Sequence, residues 1–144
     1  MAMLNKKFSQ NLHDEFDEIG RTWTKQLFKR YGVTLQDNPD KYGVDLIAYR
    51  NQNKVGYVEV EVRTVWNGDK FNYDTLNIPC RKKKLLLMDL PTCLVSWSSN
   101  GDYGFICNSN VILESDIREA KNKYMLEAEY FYKVPINKIK LIKL

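Results

Sequence analysis

The sequence predicts a mixed α/β or α+β domain, and three observations predict it. A long stretch of helical periodicity opens the chain, strand-like stretches follow, and a short helix-like segment separates these from further strands. With 144 residues, 44% of them apolar, the chain suffices for one ordinary core, so residues 1–144 read as a single domain. Charged residues at 28% and aromatics at 12% argue against a disordered tail.

The first element is the clearest. Phe8, Leu12, Phe16, Ile19, Trp23, Leu27 and Tyr31 recur every three or four residues, one apolar stripe on a helix of about six turns that stops at Gly32. Asp14, Glu18, Arg21 and Lys25 share the opposite face, and Asp17 stands at ion-pair spacing from Arg21. Residues 36–43 are rich in turn formers. Residues 44–49 read as a short strand, 51–54 as a hairpin turn and 55–65 as a longer strand. Residues 66–79 are polar and read as a loop, and 81–89 as a short helix. Two strands, 93–98 and 103–107, pair around the Asn100-Gly101 turn. Ser109 or Asn110 caps a helix, another runs over about 115–126, and the C-terminus returns to strand-like residues.

Composition narrows the function classes. No apolar run approaches the ~20 residues of a membrane span. No hydrophobic stretch follows Lys6 and Lys7, so no secretory signal is expected. Cys80, Cys93 and Cys107 are odd in number, widely spaced and without a CxxC pair, and His13 is the single histidine. That leaves no basis for a zinc finger or a histidine-dependent triad; the thiols are expected as small buried hydrophobes of a cytoplasmic protein, and His13 as a solvated helix residue. Net charge is +4, from 22 basic and 18 acidic residues, which permits a nucleic-acid partner without requiring one. The densest basic run is Arg81, Lys82, Lys83 and Lys84. The dipole disfavours it at a helix start, so phosphate binding is one reason for it and a solvated charged turn is the plain alternative. Lys133, Lys138, Lys140 and Lys143 would extend a basic rim. Trp66, Asn67, Phe71, Asn72 and Tyr73 interleave aromatics with amides and could stack on bases. Tyr130, Phe131 and Tyr132 read as core and edge-strand packing.

Chemistry concentrates on residues 55–63. Alternation places Val58, Val60 and Val62 on one face and Tyr57, Glu59, Glu61 and Arg63 on the other. Same-face neighbours stand about 7 Å apart, so two carboxylates there repel unless a cation sits between them. A hairpin turn over 51–54 pairs Asp45 with about residue 60, between Glu59 and Glu61. Three acidic oxygen donors at one place suit Mg²⁺ or Mn²⁺. The plain alternative is a polar, solvent-facing strand surface in which Arg63 neutralises Glu61.

A long helix, a Gly43-Val44-Asp45-Leu46-Ile47 strand with Asn38-Pro39-Asp40 before it, and the Glu59-Val60-Glu61 triplet together resemble the PD-(D/E)XK nuclease superfamily. This is the restriction-endonuclease-like fold of junction resolvases and many phage nucleases. The segment Asn77-Ile78-Pro79-Cys80-Arg81-Lys82-Lys83-Lys84 is similar to an Ile-Pro-x-Arg-Lys stretch of small phage-type members. The likeness covers the first half of the chain well and the rest by order of elements. It implies a central mixed sheet flanked by helices and a deoxyribonuclease in which Asp45, Glu59 and Glu61 hold Mg²⁺ or Mn²⁺. It further implies that Arg81 to Lys84 grip DNA, that two copies work as a homodimer, and that the protein acts in the cytoplasm of a bacterial or phage-infected cell.

Two registers fit the family triplet, whose last residue is usually lysine. In the first, which the proximity of Glu59 to the hairpin favours, Glu59 is the ligand and Glu61 replaces the lysine. In the second, Glu61 is the ligand and Arg63 takes the lysine place, able to stabilise charge but not to act as a base. The missing lysine is the main departure, and Lys82, Lys83 or Lys84 could supply an amine from a neighbouring element. The helix glutamate of many members would follow Gly20 as Gly-x-x-x-Glu, where this chain has Thr24; Glu15 is an alternative. These departures define the rival reading, a catalytically silent nuclease-fold module that binds DNA or a protein partner. A third reading leaves the acidic row and the basic run to a subunit interface.

Overall fold

The computed structural model describes residues 10–67, 70–120 and 128–144, with side chains from residue 15 onward. Helix α1 (Gln10–Lys29) leads into a meander of β1 (Thr34–Asp37), β2 (Leu46–Arg50) and β3 (Asn53–Arg63). A crossover follows: β4 (Thr75–Pro79), a 3₁₀ turn (Cys80–Lys82) and the one-turn helix α2 (Lys83–Leu86). The chain then makes β5 (Thr92–Ser98), β6 (Tyr103–Asn108), α3 (Ser109–Leu113), β7 (Asp116–Ala120), β8 (Glu129–Pro135) and β9 (Lys140–Lys143).

The architecture is mixed α+β. Six strands form one mixed sheet in the order β1-β2-β3-β5-β6-β9, and β4-β8-β7 form a second, smaller one. Within the large sheet β3 and β5 are parallel, Glu59 beside Leu94 and Glu61 beside Ser96, while the other neighbours are antiparallel. A parallel pair requires a crossover, and here that crossover travels over one face of β3.

Both faces of the large sheet are buried. Leu27, Val33 and Leu35 pack on Leu46, Val58, Val60, Val95 and Trp97 beneath α1. On the other face Leu94, Phe105 and Cys107 meet Leu76, Ile78, Tyr132 and Val134 of the small sheet, with Leu86 and Ile112. The sheet is thus covered by a long helix on one side only; strands and short helices cover the other, in place of the helices expected there.

Helix α1 turns a slightly different face inward than its apolar stripe predicts. Ile19 and Tyr31 are exposed, whereas Gly20, Thr24 and Leu27 are buried. Gly20 sets the close approach, because a Cβ there would lie 2.9 Å from Val62 Cγ2 and 3.1 Å from Val60 Cγ1. Thr24 Oγ1 accepts a 2.9 Å hydrogen bond from the buried Trp97 Nε1 and donates at 2.7 Å to the Gly20 carbonyl. Trp23 meets Trp97 edge-on, centroids 5.9 Å apart, and its ring rests on Gly101, whose φ of 77° and 2.4 Å virtual Cβ contact exclude a side chain.

Several boundaries differ from expectation. The turn is only Asn51 and Gln52, both at positive φ (51° and 68°), so β3 begins at Asn53. Strand β1 runs on into the first two residues of the turn-former stretch, Gln36 and Asp37, and β4 lies within the segment that reads as a loop. The 81–89 helix is one turn, preceded by a 3₁₀ turn. Asn108, not Ser109 or Asn110, caps α3, and no side-chain bond closes that cap. Residues 116–120 are a strand instead of a helix, because they pair with β8; 121–126 of that expected helix lie outside the described residues. Among the described residues no helix is long and apolar enough to cross a membrane.

The cysteines are free, and burial pushes the Cys93 and Cys107 thiols up to about 12, which makes them inert packing groups. The Thr24–Trp97 bond is the helix–sheet contact most open to test. Thr24→Val keeps the shape but leaves the indole N–H without an acceptor. It is expected to cost roughly 1–3 kcal/mol, read as a lower midpoint in urea unfolding with unchanged slope.

Candidate active site

Asp45 begins the site. Asn38 shapes the loop before it, its amide donating to the Asp45 carbonyl at 3.0 Å and its Nδ2 to the Val44 carbonyl at 3.0 Å. Asp40 closes the same loop by accepting from the Tyr42 amide at 3.0 Å. With the chain so bent, Asp45 arrives just ahead of β2. Leu46 faces Val58 across the β2–β3 ladder, so Asp45 comes opposite Glu59, one residue short of the expected position. The difference arises from the shorter turn together with a bulge, since Val55 has no partner between the Tyr49–Lys54 and Ala48–Gly56 pairs.

The two acids interlock. The Asp45 amide donates to Glu59 Oε1 at 3.0 Å, and the Val60 amide donates to Asp45 Oδ2 at 2.8 Å. Glu59 is only 5% exposed, the one charged residue among the buried polar groups of the described residues. Burial, then the neighbouring Glu59 charge, raise the Asp45 carboxyl from 3.8 to about 7, against the opposing pull of the Val60 amide. A carboxyl so perturbed by burial and by a second carboxylate marks the pair as a candidate functional site.

Lys82 completes the cluster. Its Nζ lies 2.7 Å from Glu59 Oε2, brought there by the 3₁₀ turn that follows Pro79 in the crossover. Of the three lysines that could supply an amine, the structure places this one on the acidic pair. Arg81 turns away to Glu129 on β8 at 2.6 Å, and Lys83 and Lys84 are exposed with no ion pair among the described residues. The basic run is therefore split: one residue on the site, one on the small sheet, two on the surface.

Glu61 is held differently. Arg63 binds it twice, Nε at 2.9 Å and Nη2 at 2.8 Å, and also donates to Ser96 Oγ at 3.0 Å and to the Asn77 carbonyl at 2.6 Å. Arg63 neutralises Glu61, as one plain reading of the strand expects, yet the face is covered by the crossover, not by solvent. Tyr57, the remaining member of the row, donates to Asp89 at 2.6 Å. Proximity thus joins Asp45 to Glu59 and leaves Glu61 with Arg63. Among the described residues no three His, Cys, Asp or Glu side chains gather as a metal cluster. Two carboxylates nevertheless fit a hard divalent ion, which keeps several waters and takes only one or two protein carboxylates.

A cleft of about 260 Å³ opens beside Asp45, lined also by Asp17, Arg21, Asp37, Asp40 and Lys41. Asp17 pairs with Arg21 at 3.3 Å, as its spacing predicts, and its charge adds to the upward push on Asp45. It is the acidic helix residue that faces the site, whereas Glu15 is exposed and Thr24 is committed to Trp97. Its signal was available: Asp17, Gly20 and Thr24 lie at i, i+3 and i+7, and Gly20 marks where the helix touches β3.

Of the aromatic segment, Trp66 is core. It is buried, stacked on Phe105 at 4.9 Å and edge-on to Phe71 at 5.3 Å, so it offers no surface for a base. Tyr73 is exposed beside a second cleft of about 320 Å³ that Arg63 and Asn77 share. Tyr132 is core and Tyr130 is exposed at its edge; the His13 side chain lies outside the described residues. No protein-family model matches the chain, and a search of curated proteins finds no relative.

Because Asp45 holds its proton to about 7 when folded and to 3.8 when unfolded, the native state binds more protons between these values, and stability falls as pH rises from about 4 to 7. Asp45→Asn preserves the hydrogen bonding of the protonated acid. In chelator-treated protein it is expected to stabilise the fold at pH 8, on the order of 2 kcal/mol, and to flatten the decline between pH 4 and 7, as thermal melts would read.

Proposed function

We propose that the protein is a metal-dependent deoxyribonuclease with a restriction-endonuclease-like core, in which Asp45 and Glu59 hold Mg²⁺ or Mn²⁺. The observation that carries this reading is the contact of three groups: a buried glutamate, an aspartate whose proton affinity burial and that glutamate raise, and a lysine from another element. The order of elements supports it: a helix, an antiparallel meander, a crossover, then a strand parallel to the one that bears the glutamate. Oxygen-only donors also suit a phosphodiester reaction, since a bound Mg²⁺ or Mn²⁺ would lower the pKa of an attacking water and offset charge on the phosphate.

Each residue has a role under this reading. Asp45 and Glu59 bind, with the Asp45 and Val60 amides fixing their orientation. Lys82, which pairs with Glu59, would be freed by a cation bound there and would neutralise charge on the phosphate. Arg63 fixes Glu61 and the crossover, which makes Glu61 a support of the site and not its water-activating group. Lys83 and Lys84 are exposed for the DNA backbone, and the cytoplasm of a bacterial or phage-infected cell is the expected setting. A second reading has its own support: Lys82 and Arg63 already pair with Glu59 and Glu61, as they would in a silent module that binds DNA or a protein.

Cleavage of supercoiled plasmid and of a four-way junction with Mg²⁺ or Mn²⁺ tests the two. The enzyme reading expects cleavage, its loss with a chelator, and falls on the order of 100-fold or more in Asp45→Asn and Glu59→Gln while DNA binding persists. Wild-type protein that binds DNA without cutting it leaves the silent module standing, and protein that does neither overturns both DNA readings. Lys82→Ala separates the lysine's roles: activity falls under the first reading, whereas under the second only DNA affinity can change.

A further inference from the structure

We infer that the cleft beside Tyr73 is a subsite for a single nucleobase unstacked from a DNA strand, its ring on Tyr73 and its acceptor atoms on Arg63 and Asn77. The inference rests on the proposed reading for its DNA partner, and not for catalysis.

The end of β3 and the edge of β4 that has no strand beside it form this cleft, lined by Arg63, Val65, Phe71, Tyr73, Thr75 and Asn77. Its volume of about 320 Å³ suits one small ring system. Tyr73 keeps 64% of its surface exposed, yet its ring is braced from the core. Phe71 meets it edge-on, centroids 5.5 Å apart, and Phe71 in turn packs on Trp66 and Phe105 at 5.3 and 5.4 Å. An aromatic ring anchored from behind and open outward is a platform on which a base can stack.

The cleft's unused polar groups are donors. Arg63 commits Nε to Glu61 and Ser96, and Nη2 to Glu61 and the Asn77 carbonyl. Its Nη1, with two N–H groups, has no partner among the described residues. The Thr75 hydroxyl donates to Asn77 Oδ1 at 3.1 Å, and the Asn77 amide nitrogen is likewise without a partner among the described residues. Such donors match the acceptors on a base edge, O6 and N7 of guanine or O2 and O4 of thymine. A phosphate fits less well, because Glu61 already neutralises the guanidinium. Glu59, Glu61 and Arg63 share one face of β3 at about 7 Å between neighbours, which puts Arg63 roughly 14 Å from Glu59. That span is about four nucleotides along one strand, so a strand bound at the acidic pair can reach the cleft.

Fluorescence anisotropy of a short, labelled, all-thymine strand in the presence of a chelator tests this, with circular dichroism to confirm that each variant is folded. Wild type is expected to bind this strand more tightly than an abasic strand of equal length and more tightly than thymidine monophosphate. Tyr73→Ala should weaken the thymine strand by roughly tenfold and leave the abasic strand unchanged, whereas Tyr73→Phe keeps the ring and should keep the affinity. Asn77→Ala, which retains the carbonyl that Arg63 uses, should weaken the thymine strand by roughly threefold or more. A strand carrying 5-iodouracil should cross-link to Tyr73 on irradiation. The inference is overturned if Tyr73→Ala weakens both strands alike or neither, or if the cross-link forms only at other residues. It is also overturned if the free nucleotide binds as tightly as the strand, or if wild type binds no strand. With the metal removed, a protein that never cuts DNA can still give every expected result, and an active nuclease can still lack the subsite.

Discussion

The structure depends on one constraint: two acidic side chains are locked against each other across the β2–β3 ladder. The lock is reciprocal. Each acid accepts a backbone amide from the other's strand segment, Glu59 from Asp45 and Asp45 from Val60, so neither carboxylate can swing away without breaking a hydrogen bond. These bonds hold the two carboxyls together, while burial first and the Glu59 charge second raise the proton affinity of Asp45. A single extra residue makes this geometry. Were Val55 paired with Ala48 instead of bulged out, the Tyr49–Lys54 register would run on unbroken, Asp45 would face Val58, and its side chain would point into the apolar core beneath α1. The bulge turns the carboxyl to the opposite face.

The same face is where the parallel pairing of β3 and β5 forces the chain to cross over. The crossover buries Glu59, covers part of Glu61 and Arg63, and brings partners for Glu59, Arg63 and Tyr57. Lys82 meets Glu59, the Asn77 carbonyl meets Arg63, and Asp89 meets Tyr57. A polar layer thus runs along β3 between the strand and its covering, beside the apolar contacts of Leu94 with Leu76 and Ile78. Removing one partner there would strand a charge, which is why such layers cost more to break than they contribute when whole.

What was legible in the sequence was what depends on local pattern. The amphipathic helix, the alternation of valine with Glu59, Glu61 and Arg63, the Asp45 strand and the Asn100-Gly101 hairpin are all short-range signals, and each element is present. Less legible was whatever depends on partners distant in sequence. Residues 116–120 carry helix-compatible side chains but lie in a ladder with β8, and Thr75–Pro79 looks polar because its strand alternates buried with outward positions. The pairing of Asp45 with Glu59 rested on a bulge that no residue type announces. The choice of Lys82 over Lys83 and Lys84 depends on the phase of one 3₁₀ turn, which a run of like residues conceals.

Charge balance within the cluster connects its chemistry to its stability. Glu59 and Glu61 are offset by Lys82 and Arg63, so formal charge there is zero while Asp45 keeps its proton and minus one once it loses it. Near neutral pH the site therefore lies between those states, and under the proposed reading a divalent ion would compete with a proton for Asp45 and with an ammonium for Glu59. The strain stored in the pair is then an asset to a metal site, because relieving it adds to affinity. In a protein without a ligand for the pair, the same strain would be a standing cost that one substitution, Asp45 to asparagine, removes.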